Sequence, residues 1–429
     1  MTDLAVLVVN YNKRDLLIKC LDSIFASDEV DFDVFVVDNA SKDGSVDAVK
    51  KYFKDRVTLL VNDENTGGAG GFHRGMEHIS GMNQYKYIAE FDNDILVKSD
   101  AIRELRRYME KNPNVAACGA TIIDMENLET VYEMGAFIDV ENFRLKLPFH
   151  QVKYSDLPDE VTCDYVAFGA SIILVDSLKN AGLPDKDFFI FWDDMEFCWR
   201  LRKSGYKVCA ISAAVVYHCS PSVYQQPMGS YYRMRNQIVC FARHTDAEIF
   251  ENLAEIVTGR FFRTMVVNIN TPERANAYTH ALFDALNGVM GKAEAHKVAP
   301  LATVQKWHSL VKGKGKIIVH EGRGFTQRDA LASILRSVTD APIAIASDNM
   351  ATDNNTLHVI TCYHILDIDY TSLPFIEGET LIWDNYQNFI CDAADFSVFS
   401  AHKKFYPVFH SMLYGYIKNK LNLLREAWG

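Results

Sequence analysis

The sequence predicts an α/β protein: a doubly wound, mostly parallel sheet first, then a helical region and a small α/β region. Three observations carry this. Over the first 125 residues, short continuous apolar runs alternate with amphipathic helical stretches, the pattern of a parallel sheet wound between two helical layers. Polar clusters recur where those runs end, at Asn10-Tyr11-Asn12, Asp38-Asn39, Asn62 and Asp92-Asn93-Asp94. That edge, the carboxyl ends of the strands, is where such sheets bind ligands. Beyond about residue 240 the alternation gives way to longer helical stretches and then to a second, smaller set of apolar runs.

Taken in order, residues 4–10 read as a buried strand and 15–25 as an amphipathic helix. A strand at 34–38 precedes a helix at 45–52, and a strand at 57–61 precedes a helix beginning near Gly71. A strand at 87–91, a helix at 99–111 and a strand at 115–123 follow. From 126 to 164 the pattern is irregular, and 164–175 is apolar with small residues at Phe168-Gly169-Ala170-Ser171. Residues 193–204 read as a helix, 208–216 as one or two strands running to His218, and 220–228, with two prolines, as a loop. Helices are expected at 231–243 and 247–268, with the first domain placed at 1–240. A helical region, 241–310, holds a helix at 275–291. The third region, 311–429, has a linker turn at 312–316, strands at 317–320, 342–346 and 357–361, and a helix at 328–338.

In the tail, Phe405, Val408, Met412, Leu413, Tyr416, Leu421 and Leu424 fall on one helical face, with Lys418, Lys420 and Arg425 alongside. Such a face suits peripheral contact with an anionic membrane. It equally suits packing against the chain's own C-terminal region or against a second copy in a homo-oligomer.

Composition narrows the function. At 429 residues, two or three domains are expected. A hydrophobic content of 48% with 23% charged residues is that of an ordinary globular chain. The net charge of -12 argues against nucleic acid as a partner, though a nucleotide as a small ligand stays open. Nine cysteines show no C-x-x-C pair and read as reduced thiols, which points to the cytoplasm. The chain enters its first strand directly after Met1-Thr2-Asp3, without the basic start of a signal peptide. No apolar run reaches bilayer-spanning length.

Four segments carry candidate chemistry. Asp92 and Asp94, separated by Asn93 at a strand end, suit a hard divalent cation bound through one or two carboxylates plus phosphate oxygens. The alternative is a strand-to-helix turn whose acids cap the next helix. Gly67-Gly68-Ala69-Gly70-Gly71 lacks the lysine and spacing of a phosphate-binding P-loop. Its glycines, Gly68 and Gly70 among them, nevertheless let backbone N–H groups approach a ligand, so a ligand-facing loop is expected. Trp192-Asp193-Asp194-Met195-Glu196 offers acids for a general base, and the preceding Phe188-Phe189-Ile190-Phe191 suggests an aromatic wall against a sugar. Acids in a first helical turn also complement the helix dipole. Tyr231-Tyr232-Arg233-Met234-Arg235 sets arginines, Arg233 foremost, where they could fork onto a phosphate or line a solvated helix face. His218 alone reads as a polar strand end, although imidazole also binds Mn²⁺.

In their order and spacing, Val8-Val9-Asn10-Tyr11-Asn12, Val36-Val37-Asp38-Asn39-Ala40-Ser41, Asp43-Gly44-Ser45, Asp92-Asn93-Asp94, Trp192-Asp193-Asp194-Met195-Glu196-Phe197 and His218 resemble the family 2 inverting glycosyltransferases of the GT-A fold over about 1–240. The glycine segment and the Trp-Asp-Asp-x-Glu run resemble bacterial galactofuranosyltransferases most. The resemblance implies that Val9, Tyr11 and Asp38 or Asn39 hold the nucleoside. It further implies that Asp92, Asp94 and His218 hold Mn²⁺ or Mg²⁺, that Asp194 is the base, and that Asn93, Trp192 and Asp193 line the donor site. Asn93 stands where the galactofuranosyl enzymes carry aspartate. The function so implied is transfer of galactofuranose from UDP-galactofuranose to a glycan or lipid-linked glycan in surface polysaccharide synthesis, in the cytoplasm, with peripheral contact at the inner face of the cell membrane as an option. A dTDP-rhamnose donor is the close rival, and a non-catalytic nucleotide-sugar-binding subunit is the alternative of another class. A dinucleotide-dependent dehydrogenase is disfavoured, because Asn10-Tyr11-Asn12 replaces the glycine-rich first turn.

Overall fold

The computed structural model describes residues 2–28, 31–125, 127–218, 227–267, 272–299, 306–346, 354–362, 375–384 and 389–428. The first half runs β1 (Leu4–Asn10), α1 (Arg14–Phe25), β2 (Asp33–Asp38), α2 (Ser45–Tyr52), β3 (Val57–Val61), α3 (Gly67–Gly81), β4 (Tyr87–Asp92), β5 (Ile95–Val97), α4 (Ala101–Lys111) and β6 (Val115–Asp124). It continues with β7 (Asn127–Glu133), β8 (Phe137–Asp139), β9 (Arg144–Lys146), β10 (Glu160–Cys163), β11 (Ala170–Leu174), α5 (Leu178–Ala181), α6 (Asp193–Lys203) and β12 (Lys207–His218).

The central sheet follows the order β10-β12-β6-β11-β4-β1-β2-β3. Neighbours among β3, β2, β1 and β4 are parallel, as are β6 and β12. β11 is inserted antiparallel between β4 and β6. The continuous apolar runs are explained by burial on both sides. Leu4, Val6 and Val8 pack with Leu17, Leu21 and Ile24 of α1 and Leu105 of α4. Ala5, Leu7 and Val9, pointing the other way, pack with Phe72 and Met76 of α3 and Phe197 and Leu201 of α6.

Three expectations for this half are corrected. The glycines at 67–71 do not form a loop; they open helix α3. Close packing accounts for them. A Cβ on Gly71 would collide with Val9, and one on Gly67, whose φ is +76°, would collide with the carbonyl of Phe189. Second, the irregular stretch 126–164 holds four short antiparallel strands, β7 to β10, too brief to leave a periodic signature. Third, the acids at 92–94 do not cap a helix, because β5 follows them and α4 starts only at Ala101.

The second half comprises α7 (Pro227–His244), α8 (Ala247–Val267), α9 (Pro272–Leu286), α10 (Ala295–Val298), α11 (Lys306–Lys312), β13 (Lys316–His320), α12 (Arg328–Arg336), β14 (Ile343–Ala346), β15 (Thr356–Cys362), β16 (Thr380–Asp384), β17 (Phe389–Ile390) and α13 (Ala393–Trp428). The loop expected at 220–228 lies mostly outside the described residues. Its last two positions open α7 instead, with Pro227 at a helix start, where a missing N–H costs nothing. A boundary at 240 would fall inside α7, whose Val239, Cys240 and Phe241 share one core with Phe250, Leu253, Ala281 and Leu282 of the next two helices.

The small α/β region is a five-stranded sheet, order β14-β13-β15-β16-β17, in which the first four strands are mutually parallel and β17 is antiparallel to β16. β16 and β17 had no counterpart in the sequence reading.

The tail helix begins at Ala393, earlier than expected, and its apolar face is redistributed. Ile417 and Leu421 are fully buried against the α7–α9 core, with Leu413 packed beside them. Met412 and Tyr416, at 71% and 41% exposure, are turned away. Side chains at 405 and 408 lie outside what is described. Internal packing therefore holds for much of the face proposed for a membrane. No described helix is long and apolar enough to cross one.

Candidate active site

The carboxyl ends of β1, β2 and β4 bring the amino-terminal polar clusters together. Asn10, fully buried, donates to Asp38 Oδ2 at 2.8 Å and accepts from Asn93 Nδ2 at 2.7 Å. The other Asp38 oxygen accepts from the Ser41 backbone at 2.8 Å. Asn39 donates to the Gly67 carbonyl and accepts from Asn62 and Thr66. Asp38 and Asn39, expected at the nucleoside, are both 1% exposed with these polar atoms taken up within the protein. Val9 is buried, its methyls turned to Gly71. Tyr11, 45% exposed, is the member of this group open to a ligand. No Cβ contact would arise at Gly68, whereas Gly70 abuts Thr66.

The expected metal residues are joined by strand pairing. β12 pairs with β5 antiparallel, placing His218 opposite Ile95. His218 Nε2 thereby comes 3.8 Å from Asp94 Oδ1, while Lys13 Nζ sits 2.6 Å from Asp94 Oδ2. Burial, with Asp94 and Asp194 adding and Lys13 opposing, pushes the Asp92 carboxyl up to about 7. Two carboxylates and an imidazole form a donor set that suits Mn²⁺ well and Mg²⁺ through its oxygens. Asp92 does not close with Asp94 and His218 into one compact three-ligand cluster among the described residues. Any cation there would take further oxygens from its ligand. The cluster that does close, Cys391, Asp392 and Asp395, lies at the start of α13. Its Asp392 accepts from the Asp395 backbone at 2.8 Å, as a helix cap does.

From the other side α6 delivers the second acidic group. Its three acids have different situations. Glu196, 2% exposed, is bound by Arg200 and by His244, each at 2.9 Å, and is held below the usual carboxylate range despite its burial. It is structural. Asp193 is 7% exposed and burial, with Asp194 next, drives it well upward. Asp194 is half-buried, and burial raises it to about 6 against hydrogen bonds from the Met195 and Phe168 backbone and from Tyr165.

The expected aromatic wall is instead core. Phe188, Phe189 and Trp192 are buried among α7 side chains, with Phe189 stacked on Tyr232 at 5.0 Å. Arg233 lies over the partly exposed Phe191 ring at 4.7 Å. Phe189, Phe191 and Trp192 have φ of 67°, 65° and 70°, a strained conformation for aromatic residues. Two α7 residues hold it. Fully buried Arg235 donates to the Phe188 carbonyl at 3.0 Å, and Asn236 donates to the carbonyls of Phe188, Ile190 and Phe191 at 2.8–2.9 Å. Asn236→Ala would take the side-chain donor from the Ile190 and Phe191 carbonyls, while the Phe188 carbonyl keeps Arg235. It is expected to cost about 2–4 kcal/mol in urea unfolding; an unchanged midpoint would show the segment to be held otherwise.

Sequence reasoning missed several residues. Glu90, on the same face of β4 as Asp92, is fully buried, accepts from Ser171 Oγ at 2.7 Å and has its other oxygen without a partner. Glu133, Tyr165 and Gly169 also line the acids. A Cβ on Gly169 would strike the Asp92 carboxylate. The small-residue run 168–171 was the available signal. Nothing in a strand interior such as Ile88-Ala89-Glu90 marks its acid as part of a site.

Residues 5–169 match the family model described as "Glycosyl transferase family 2". Galactofuranosyltransferase GlfT2 of Mycolicibacterium smegmatis is 24% identical over 213 residues, 46% of this chain and 33% of that protein. Succinoglycan biosynthesis protein ExoO of Rhizobium meliloti is 32% identical over 129 residues, 30% of this chain and 34% of that protein. The low-salt glycan biosynthesis hexosyltransferase Agl10 of Haloferax volcanii is 21% identical over 305 residues, 68% of this chain and 92% of that protein. The chain thus spans about a third of the length of the first two of these relatives. Among solved structures, GalNAc-T7 with UDP, GalNAc and Mn²⁺ aligns at a TM-score of 0.48 and 13% identity, covering 66% of this chain and 57% of that one. Staphylococcus aureus TarS 1-349 aligns at 0.43 and 17%, covering 67% and 81%.

Proposed function

From the premise that residues 5–169 form a glycosyl transferase family 2 domain, we propose that the chain is an inverting, metal-dependent glycosyltransferase. Its donor is UDP-galactofuranose and its acceptor a glycan or lipid-linked glycan of a surface polysaccharide. One observation carries the reading: the acids of β4 and of α6 meet at the carboxyl edge of the sheet, close enough that Asp194 adds to burial in raising the Asp92 carboxyl and Asp92 adds to burial in raising Asp193.

Inversion needs a base on the face opposite the leaving group. Asp194, half-buried and ionisable near neutrality, takes the proton of the attacking acceptor hydroxyl as the new glycosidic bond forms. The bond from the anomeric carbon to the diphosphate oxygen breaks in the same step. Asp92, Asp94 and His218 would hold the cation, which when bound would supply neutralisation of the departing diphosphate. Tyr11 offers its exposed ring to the nucleoside, and Asn10, Asp38 and Asn93 fix the shape of that rim. The eight described cysteines form no disulfide among the described residues, which suits a cytoplasmic setting.

The test is a donor panel: full-length protein, Mn²⁺ and UDP-galactofuranose, dTDP-rhamnose or another sugar nucleotide, followed for slow hydrolysis. UDP-galactofuranose is expected to be consumed. Consumption of dTDP-rhamnose alone would replace the donor. Tight UDP binding without turnover of any donor, or transfer to any extracted glycan, would leave a binding subunit.

A further inference from the structure

His218 stands more in the open than the acid it faces. Its side chain is 30% exposed against 8% for Asp94, and its Nε2 is 3.8 Å from Asp94 Oδ1, beyond hydrogen-bond reach. An imidazole nitrogen binds a metal along its lone pair, which lies in the plane of the ring. The groups that fix that plane therefore govern whether the histidine can serve as a ligand.

One ring lies almost flat against His218. Tyr132 of β7 is 6.1 Å away, centroid to centroid, and the two planes are 22° apart. The sheet brings the pair together, because β12 and β7 flank the end of β6. His218 is opposite Asp124 on one edge, and Val131 is opposite Ile123 on the other. Val131 packs into the core toward α3 and α6, so strand alternation sends Tyr132 to the other face. That face carries Ile122 and Val216, and two residues beyond Val216 comes His218. Tyr132 is itself braced from behind. His150 meets its ring edge-on at 5.6 Å and 83°, and His150 Nδ1 donates to the Tyr132 carbonyl at 2.9 Å. Backbone hydrogen bonds of 2.8 Å, from Val131 N–H to the Val152 carbonyl and from Gln151 N–H to the Val131 carbonyl, tie that turn to β7. The half-buried tyrosine ring is thus a fixed wall with an imidazole on each side.

We propose that Tyr132, braced by His150, is the positioning residue of the metal site, holding the His218 ring so that Nε2 is turned toward Asp94 and the cation. This rests on Asp94 and His218 being metal ligands. The contact is made by the ring, so phenylalanine can replace the tyrosine and an aliphatic side chain cannot. The effect falls on nitrogen ligation alone. Mg²⁺, which takes oxygen ligands, is therefore far less sensitive to it than Mn²⁺.

The experiment uses the full chain and UDP, with Mn²⁺ or Mg²⁺ as the probe. Free Mn²⁺ is read by electron paramagnetic resonance, and UDP binding is titrated against each ion. Tyr132→Leu is expected to weaken Mn²⁺ about 3- to 10-fold, the worth of one aromatic pair, and Mg²⁺ by less than about twofold. UDP affinity at saturating Mn²⁺ is expected to match the parent. Tyr132→Phe is expected to bind both ions as the parent does. Parent Mn²⁺ affinity in Tyr132→Leu overturns the proposal. So does equal weakening of both ions, which general loss of packing would give, or a Tyr132→Phe as weak as Tyr132→Leu. Should Tyr132→Leu not fold, His150→Ala, at an exposed position, takes its place. It is expected to weaken Mn²⁺ alone by about twofold to threefold, and parent affinity there overturns the proposal. His218→Ala in the same series separates the two levels. Parent Mn²⁺ affinity there removes His218 from the metal site, and the positioning role with it. Loss there beside a parent-like Tyr132→Leu removes the positioning role alone.

Discussion

Asp194→Asn is expected to lower turnover by about 10²- to 10⁴-fold, the contribution of a positioned general base, while the protein stays folded and binds UDP. Among the three acids after Trp192, the structure singles this one out. Glu196 is spent on Arg200 and His244, and Asp193 is almost sealed at 7% exposure. Asp194 is half-buried, and burial holds its carboxyl at about 6. A base must be ionised to work, so kcat/KM of the parent is expected to rise with pH through about 6. The stability sign runs the other way. The folded state binds this proton more tightly than the unfolded chain, whose aspartate titrates near 3.8, so stability falls as pH rises from about 4 through about 6. At pH 7 the ionised group is a burden that asparagine removes. The thermal midpoint of Asp194→Asn should therefore not fall, and lost activity cannot be blamed on unfolding. Parent-like turnover would remove Asp194 from its role.

The sheet was legible in the sequence because β1, β2, β4 and β6 are buried on both faces, and a run such as Leu4-Ala5-Val6-Leu7-Val8-Val9 has few other physical readings. The polar strand ends were legible for the same reason, since they interrupt those runs. Less was visible where the cause lies across the fold. The glycines of α3 look like a loop because glycine is a poor helix former; what they serve is contact with Val9 and with the Phe189 carbonyl, both distant in sequence. Phe188 to Trp192 look like a sugar platform until α7 covers them. Glu90, Glu133 and Tyr165 carry no local pattern. Their significance is that three unrelated segments converge on Asp194, and convergence of that kind is written in topology alone. His218 lies between these cases: as a lone histidine it had no standing, and its closeness to Asp94 follows from the pairing of β12 with β5.

Asp94→Ala is expected to remove metal-supported transfer, with a loss of about 10³-fold, the scale of several kcal/mol of leaving-group stabilisation. Asp94 is the hub of its corner. Only 6% exposed, it accepts from Lys13 at 2.6 Å on one oxygen and faces His218 at 3.8 Å with the other. Asp92 next door is already driven toward neutrality by burial, with Asp94 itself adding. Alanine leaves Asp92 and His218 without the group between them, too few donors in too loose an arrangement for a hard cation beside a diphosphate. The fold should tolerate the change. The Lys13 side chain is 36% exposed and can turn to water once its partner is gone, so the ion pair's loss is worth at most about 1 kcal/mol. The two effects differ by several kcal/mol and are separately measurable. Mn²⁺ titration of UDP binding should lose its metal dependence, and urea unfolding should shift little. A variant that retains both Mn²⁺-dependent binding and turnover would show that the cation, if bound, is held by other groups.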